Sequence, residues 1–92
     1  PVGTMSFLIG LPFGTDLSKA IAVMSTALEG VGELLSSPAP SVSVAEIQSE
    51  TVTLKVSGKT ASPRSVDRIA NEARLAVWEA LREGGILATL EG

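Results

Sequence analysis

Gly58-Lys59-Thr60 stands where a phosphate-binding loop would close. Such a loop wraps the anion in backbone N–H groups, brings a Lys to its charge, and needs a first Gly five residues before the last. That position is Thr53, which lacks glycine's backbone freedom, so a polar turn is the favoured reading. Nucleophilic chemistry fares no better. The chain has no His, Cys or Tyr, which removes Ser-His-Asp and Cys-His constellations. A Ser–Lys pair stays formally open, but no spacing orders a Ser against Lys19, Lys55 or Lys59. Calcium-type sites need carboxylates converging from one short loop, whereas Asp16, Glu29, Glu33, Glu46 and Glu50 are dispersed. The sequence therefore predicts no enzyme, no catalytic residue, no metal and no cofactor.

Charge excludes a further class. The formal charge is −3 and Arg64, Arg68, Arg74 and Arg82 are interleaved with Asp67, Glu72, Glu79 and Glu83. That mixture reads as a solvated helix face rather than the basic stripe that neutralises phosphates, so no nucleic-acid partner is expected. An RNA-recognition sheet would also need aromatics on its central strands, where this chain has Val, Leu, Thr and Ser. The absence of Cys suits a reducing compartment. No stretch reaches the roughly 18 apolar residues of a membrane helix, and no basic n-region marks a signal peptide. Pro1 in place of Met suggests an excised domain whose membrane segments, if any, lie elsewhere.

The 92 residues suit one domain, 1–92, of marginal size; about 60–65% of the unfolded surface would be buried, so help from a partner chain matters. Phe7, Ile9, Leu11 and Phe13 alternate with Leu8, Gly10 and Pro12, predicting a strand with one dominant buried face that ends or meets an edge at Pro12. Thr15 or Asp16 offers an N-cap. Leu17, Ala20, Ile21, Met24, Ala27 and Leu28 then form a helical apolar stripe that should stop near a left-handed Gly30. Val31, Leu34 and Leu35 predict a further turn on the core, and Ser36-Ser37-Pro38-Ala39-Pro40 a firm break. Val42 and Val44, then Val52, Leu54 and Val56, alternate with polar residues as a hairpin turning near Gln48-Ser49-Glu50. Gly58 to Pro63 reads as a loop, with Ser62 and Pro63 opening a second helix whose stripe is Val66, Ile69, Ala70, Ala73, Val77, Ala80 and Leu81. Gly84-Gly85 closes it, and Ile86 to Leu90 suggests one more strand. The order is β-α-β-β-α-(β), an α+β ferredoxin-like arrangement with two helices on one sheet face. The other face carries Ser43, Thr51, Thr53 and Lys55 and should meet water. Trp78 reads as closing the core's edge; the other reading is contact with a neighbouring chain.

Three segments carry a family resemblance. Ile9-Gly10-Leu11-Pro12-Phe13-Gly14-Thr15-Asp16-Leu17-Ser18-Lys19-Ala20, Leu34 to Val42 with its Ser37-Pro38-Ala39-Pro40, and Ala80-Leu81-Arg82-Glu83-Gly84-Gly85-Ile86 stand in the order and spacing of the C-terminal domain of MscS-type mechanosensitive channels. The chain resembles that domain over most of residues 7–86. It departs at Leu87 to Gly92, which lacks the family's P-x-P segment, and in the loop after the third strand, which lacks its frequent aromatics.

The resemblance implies a non-catalytic wall of a cytoplasmic cage of seven identical subunits, beneath the inner-membrane pore of a channel that releases ions and solutes on osmotic shock. It implies a homo-oligomer as partner, and membrane contact only through segments absent from these residues. The candidates for subunit contact are Phe7, Leu8, Ile86, Leu87 and Leu90, each equally readable as ordinary core. The competing expectation is a free-standing ferredoxin-like regulatory domain that binds a small ligand or dimerises through its sheet.

Overall fold

The computed structural model describes residues 1–86 and the backbone of Thr89–Glu91. Strand β1 (Gly3–Pro12) leads to helix α1 (Leu17–Glu29), strands β2 (Ser41–Ile47) and β3 (Thr51–Thr60), helix α2 (Val66–Glu83) after a 3-10 turn at Pro63–Ser65, and strand β4 (Thr89–Glu91). The sheet order is β2-β3-β1-β4. Every neighbouring pair is antiparallel, which the two helical crossovers permit because each strand of a crossover skips one place in the sheet.

Alternation places Met5, Phe7, Ile9 and Leu11 of β1 beside Val52, Leu54 and Val56 of β3, all on the face that carries the helices. Ala20, Met24 and Leu28 of α1 and Ile69, Ala73, Val77 and Leu81 of α2 complete the core from above. These are the predicted helical stripes. Burying each Leu, Ile, Val or Met contributes about 1.5–3 kcal/mol, and this carries most of the fold's stability in a chain with only three aromatics.

The helix ends follow local chemistry. Asp16 caps α1, its carboxylate accepting from the Lys19 N–H at 3.1 Å. Ser62 accepts from the Arg64 N–H ahead of α2. At the far end of α2, Gly85 takes φ 75°, a left-handed conformation that glycine adopts without steric cost. Its N–H donates to the Arg82 carbonyl at 3.1 Å and the Ile86 N–H to the Leu81 carbonyl at 2.9 Å, the Schellman pattern. That motif returns the residue after the left-handed glycine onto the helix, and Ile86 packs on the core accordingly.

Four sequence expectations are corrected. Gly58-Lys59-Thr60 is not loop but the last part of β3, held by pairing with Gly3, Thr4 and Met5. Phe13 is 62% exposed rather than buried, because β1 ends at Pro12 and the chain turns there toward α1. Gly30 ends α1 but at φ −80°, in the right-handed region. Thr53 is buried although it faces away from the helices, between Gly10 and Glu46 in the register. Val31 and Leu34 do pack on the core, without forming a helix, and Leu34 bridges to Thr60.

One surface pair ties the connection after α1 to α2. Both guanidinium nitrogens of Arg68 reach the Glu33 carboxylate, at 2.6 and 2.7 Å, and Glu72 lies 3.4 Å from the same Arg. The Arg68 hydrogen bonds hold the Glu33 carboxyl below its ordinary value of 4.5. A carboxyl depressed in the folded state stabilises fully above its unfolded pKa and loses that contribution as pH falls through the folded value. The Tm of the parent should therefore exceed that of Glu33→Gln at neutral pH and converge with it in acid, once pH has fallen through the depressed folded value of Glu33. The gap should be small, since exposed ion pairs contribute little. Thermal melts across pH 2–7 check this; a gap that persists undiminished at pH 2 would show that the contact is not ionic.

Candidate functional site

The groups that looked chemical in sequence are committed elsewhere in the fold. Lys59 donates from Nζ to the Thr4 hydroxyl across the sheet at 2.7 Å, and the buried Thr60 hydroxyl donates to the Ser62 carbonyl at 2.8 Å. The Lys59 carbonyl accepts from the Leu35 N–H at 2.9 Å. A strand so paired presents no concave row of N–H groups to an anion. Among the described residues no acidic cluster is placed to hold a metal ion.

Clefts among the described residues include a shallow one of about 350 Å³ over Ser6, Phe7, Leu8 and Lys55, and two larger ones. One, of about 470 Å³, runs between α1 and α2 and is lined mainly by Ala22, Val23, Ala27 and Ala80, with Thr26 and Glu83 at its margin. The other, about 400 Å³, lies beneath the turn after β1, where Lys19 donates from Nζ to the Gly84 carbonyl at 3.0 Å. That bond joins the start of α1 to the orphan carbonyls at the end of α2, where a cation is favoured. Neither cleft gathers the convergent polar groups that fix a small ligand.

What the surface does offer is exposed apolar residues at the two flanks of the sandwich. Val44 and Ile47 of the edge strand β2 are 45% and 63% exposed, although both point to the helix-bearing side of the sheet. On α2, Leu75 is 53% exposed and Trp78 36%, with the Arg82 guanidinium 5.6 Å from the Trp78 ring centre. Trp78 is thus an exposed aromatic and is not among the residues packed on the core.

The five residues predicted for subunit contact are dispersed. Phe7 is buried on β1, its ring 5.2 Å from the Arg74 guanidinium. Leu8 lies on the opposite sheet face and is exposed. Ile86 is half-buried against the core. The backbone of Leu90 pairs with Ile9 in β4, and Leu87 lies outside the described residues. Sequence reasoning did not single out Val44 as surface, since it alternates like a core position, nor Ile47, which lies off that alternation and shares the Val44 face only because of the register shift between Val44 and Glu46.

Residues 5–87 match the family described as mechanosensitive ion channel MscS, C-terminal. The chain belongs to this family. The match runs from within β1 to just beyond α2, so the MscS C-terminal domain accounts for nearly all of the described fold. The chain is thus a channel-associated domain. No curated protein matches it.

Among solved structures, the cryo-EM structure of wild-type AtMSL1 aligns with 98% of the chain at TM-score 0.77 and 13% identity. The chain spans 32% of the AtMSL1 chain. An amidohydrolase/peptidase from Burkholderia cenocepacia aligns at TM-score 0.58 and 18% identity, covering 98% of this chain and 27% of that one. A C-terminal segment of the aIF2 alpha subunit from Pyrococcus abyssi gives 0.57 and 11%, covering 98% and 49%. At these identities the likeness is one of fold, shared by proteins of unrelated function. No helix of the described residues is long and apolar enough to cross a membrane.

Proposed function

We propose that this chain is the non-catalytic assembly domain at the cytoplasmic end of a mechanosensitive channel subunit, one wall of a ring of identical copies. The observation that carries this reading is the MscS C-terminal match over residues 5–87. Its physical support is a surface with exposed apolar residues on β2 and α2. In this role the domain holds subunits together and shapes the route by which ions and small solutes reach the pore under osmotic shock. The family resemblance implies seven copies and an inner-membrane location for the whole protein; Leu8, Ile86, Leu87 and Leu90 stay candidates for subunit contact, whereas Phe7 is buried in the core.

An antibody raised against this domain tests the reading on fractionated native cells. The expected result is a membrane-fraction band far above the 9.4 kDa of these residues. A soluble band near 9.4 kDa would sink the channel reading and favour a free-standing regulatory domain.

A further inference from the structure

Cover by the helices fails progressively along β2. Val42, Val44 and Ile47 all face the helix-bearing side of the sheet, opposite Val56, Leu54 and Val52. Val42 packs on the core, yet Val44 is 45% and Ile47 63% exposed. The cause lies in α1. β2 runs toward the Pro12 end of the sheet, where α1 starts, and there Lys19 is tied to the Gly84 carbonyl of α2 at 3.0 Å. α1 thus begins against α2 and leaves the end of β2 without a helix over it. Phe13, also exposed, stands at the same end, its N–H donating to the Glu50 carbonyl at 2.9 Å. Val44, Ile47 and Phe13 therefore lie at one corner of the sandwich, beside the β2–β3 turn.

The charge of this corner is negative. Glu46 and Glu50 belong to it and Asp16 caps α1 next to it, while residues 13–18 and 41–50 contain no Lys or Arg. None of these three acids has an ion-pair partner among the described residues. The cations of the neighbouring elements are committed or turned away. Lys19 is bound to Gly84, and Lys59 to the Thr4 hydroxyl at the far end of β3. Lys55 lies across from Ser43 on the open sheet face, which Glu46 shares at the strand's edge, across from Thr53. An acidic rim repels nucleic acid and anionic lipid and favours a basic protein segment.

The fold also decides the form of that segment. A strand added to β2 would need an unbroken edge, but the register shift between Val44 and Glu46 is a bulge. A bulge and a charge are the usual protections against strand pairing. The uncovered surface lies instead in the helix layer, where α1 and α2 already cover the other strands with apolar stripes. We infer that this corner is a docking site for a basic amphipathic helix of another protein. Its apolar stripe would rest on Val44, Ile47 and Phe13, and its Lys or Arg residues would stand beside Glu46, Glu50 and Asp16. The inference goes beyond the assembly reading and leaves Leu75 and Trp78 of α2 to neighbouring copies.

Photo-crosslinking to the intact polypeptide that carries these residues tests the assignment. The probe is a synthetic peptide with Leu at i, i+3, i+4 and i+7, Lys elsewhere, and benzoylphenylalanine in place of one central Leu. Peptide mapping should place its adduct within residues 13–17 or 44–50. Val44→Thr combined with Ile47→Thr keeps β-branched strand formers at exposed positions and should lower that adduct about tenfold. Glu46→Gln combined with Glu50→Gln should lower it severalfold at low salt and much less at high salt. A peptide with Glu in place of Lys should give no adduct there. Equal labelling by the acidic peptide, adducts spread over the surface, yields unchanged in the Thr variant, or no adduct at this corner would each overturn the inference. Native mass on the same samples separates it from the ring. A lower mass in the Thr variant without any adduct would mean that a second copy covers the corner, so the inference falls and the ring stands. An adduct on a monomer would remove the ring and leave the docking site.

Discussion

Leu54→Ala will lower the stability of the domain by about 3 kcal/mol, within the 2–5 kcal/mol range for deleting a fully buried Leu. Leu54 is fully buried at the middle of β3, between Ile9 of β1 and Val44 of β2 in the register. A chain of 92 residues has about 5–14 kcal/mol in total, so one side chain here accounts for a large share. With a urea slope of about 1 kcal/mol/M, the midpoint should fall by about 3 M. Trp78, the single Trp, provides the fluorescence signal. The size of the effect follows from packing. Leu54 lies on one of the two central strands beneath the helices, where the surroundings cannot collapse into the space it leaves. The same loss would loosen β2, whose place in the sheet depends on β3 alone. A midpoint shift under about 0.5 M would mean that the helices settle onto the sheet and that the core is not close-packed at this point.

The element order was legible because both helices and the central strands carry strong, different periods. Ala20, Met24 and Leu28 recur at four residues, and Val52, Leu54 and Val56 at two; each set is buried as its period required. The failures lie where local pattern meets tertiary context. Gly58-Lys59-Thr60 has poor strand propensity, yet it is strand, because β1 continues to Gly3 and supplies a partner for each residue. Strand formation depends more on such partners than on intrinsic preference. Phe13 continued the alternation of β1 but lies past the strand's end at Pro12 and is exposed. Capping was legible in residue types: Asp16, Ser62 and the Gly84-Gly85 pair each sit at a helix end.

The candidate surfaces were less legible, and for a definite reason. Val44 and Leu54 present the same alternating signal, but one is 45% exposed and the other fully buried. The difference is set by strand order, which puts β2 at an edge and β3 inside, and by helices that lie over the centre of the sheet. Strand order is a property of the whole chain that no window of sequence reports. Trp78, read in the sequence as closing the core's edge or meeting a neighbouring chain, is exposed, because only the packing of α2 on the sheet decides which of its apolar residues are covered.

Gly3→Val will destabilise the domain by about 2–3 kcal/mol, against what strand preference alone would give. Gly in a strand is disfavoured by roughly 0.5–1 kcal/mol, and Val is a strong strand former, so local preference predicts a gain. Overlap decides otherwise. A Cβ at Gly3 would lie 2.5 Å from the Thr60 hydroxyl oxygen, 2.5 Å from a Val66 methyl and 2.9 Å from the Pro63 Cα. Thr60 is fully buried and its hydroxyl is held by the Ser62 carbonyl, so it cannot turn away without losing that bond. Pro63 is backbone at the entry to α2, so relief requires moving the start of that helix. Ser6→Val, three residues along the same strand on the exposed sheet face, provides the control and should leave stability unchanged or slightly raised. Paired urea titrations decide between the two effects. Equal behaviour of both variants would mean that the Gly3 end of β1 moves freely and does not fix the entry to α2. A loss confined to Gly3→Val, partly recovered by adding Val66→Ala, would show that close approach of β1 to the α2 entry is why glycine stands there.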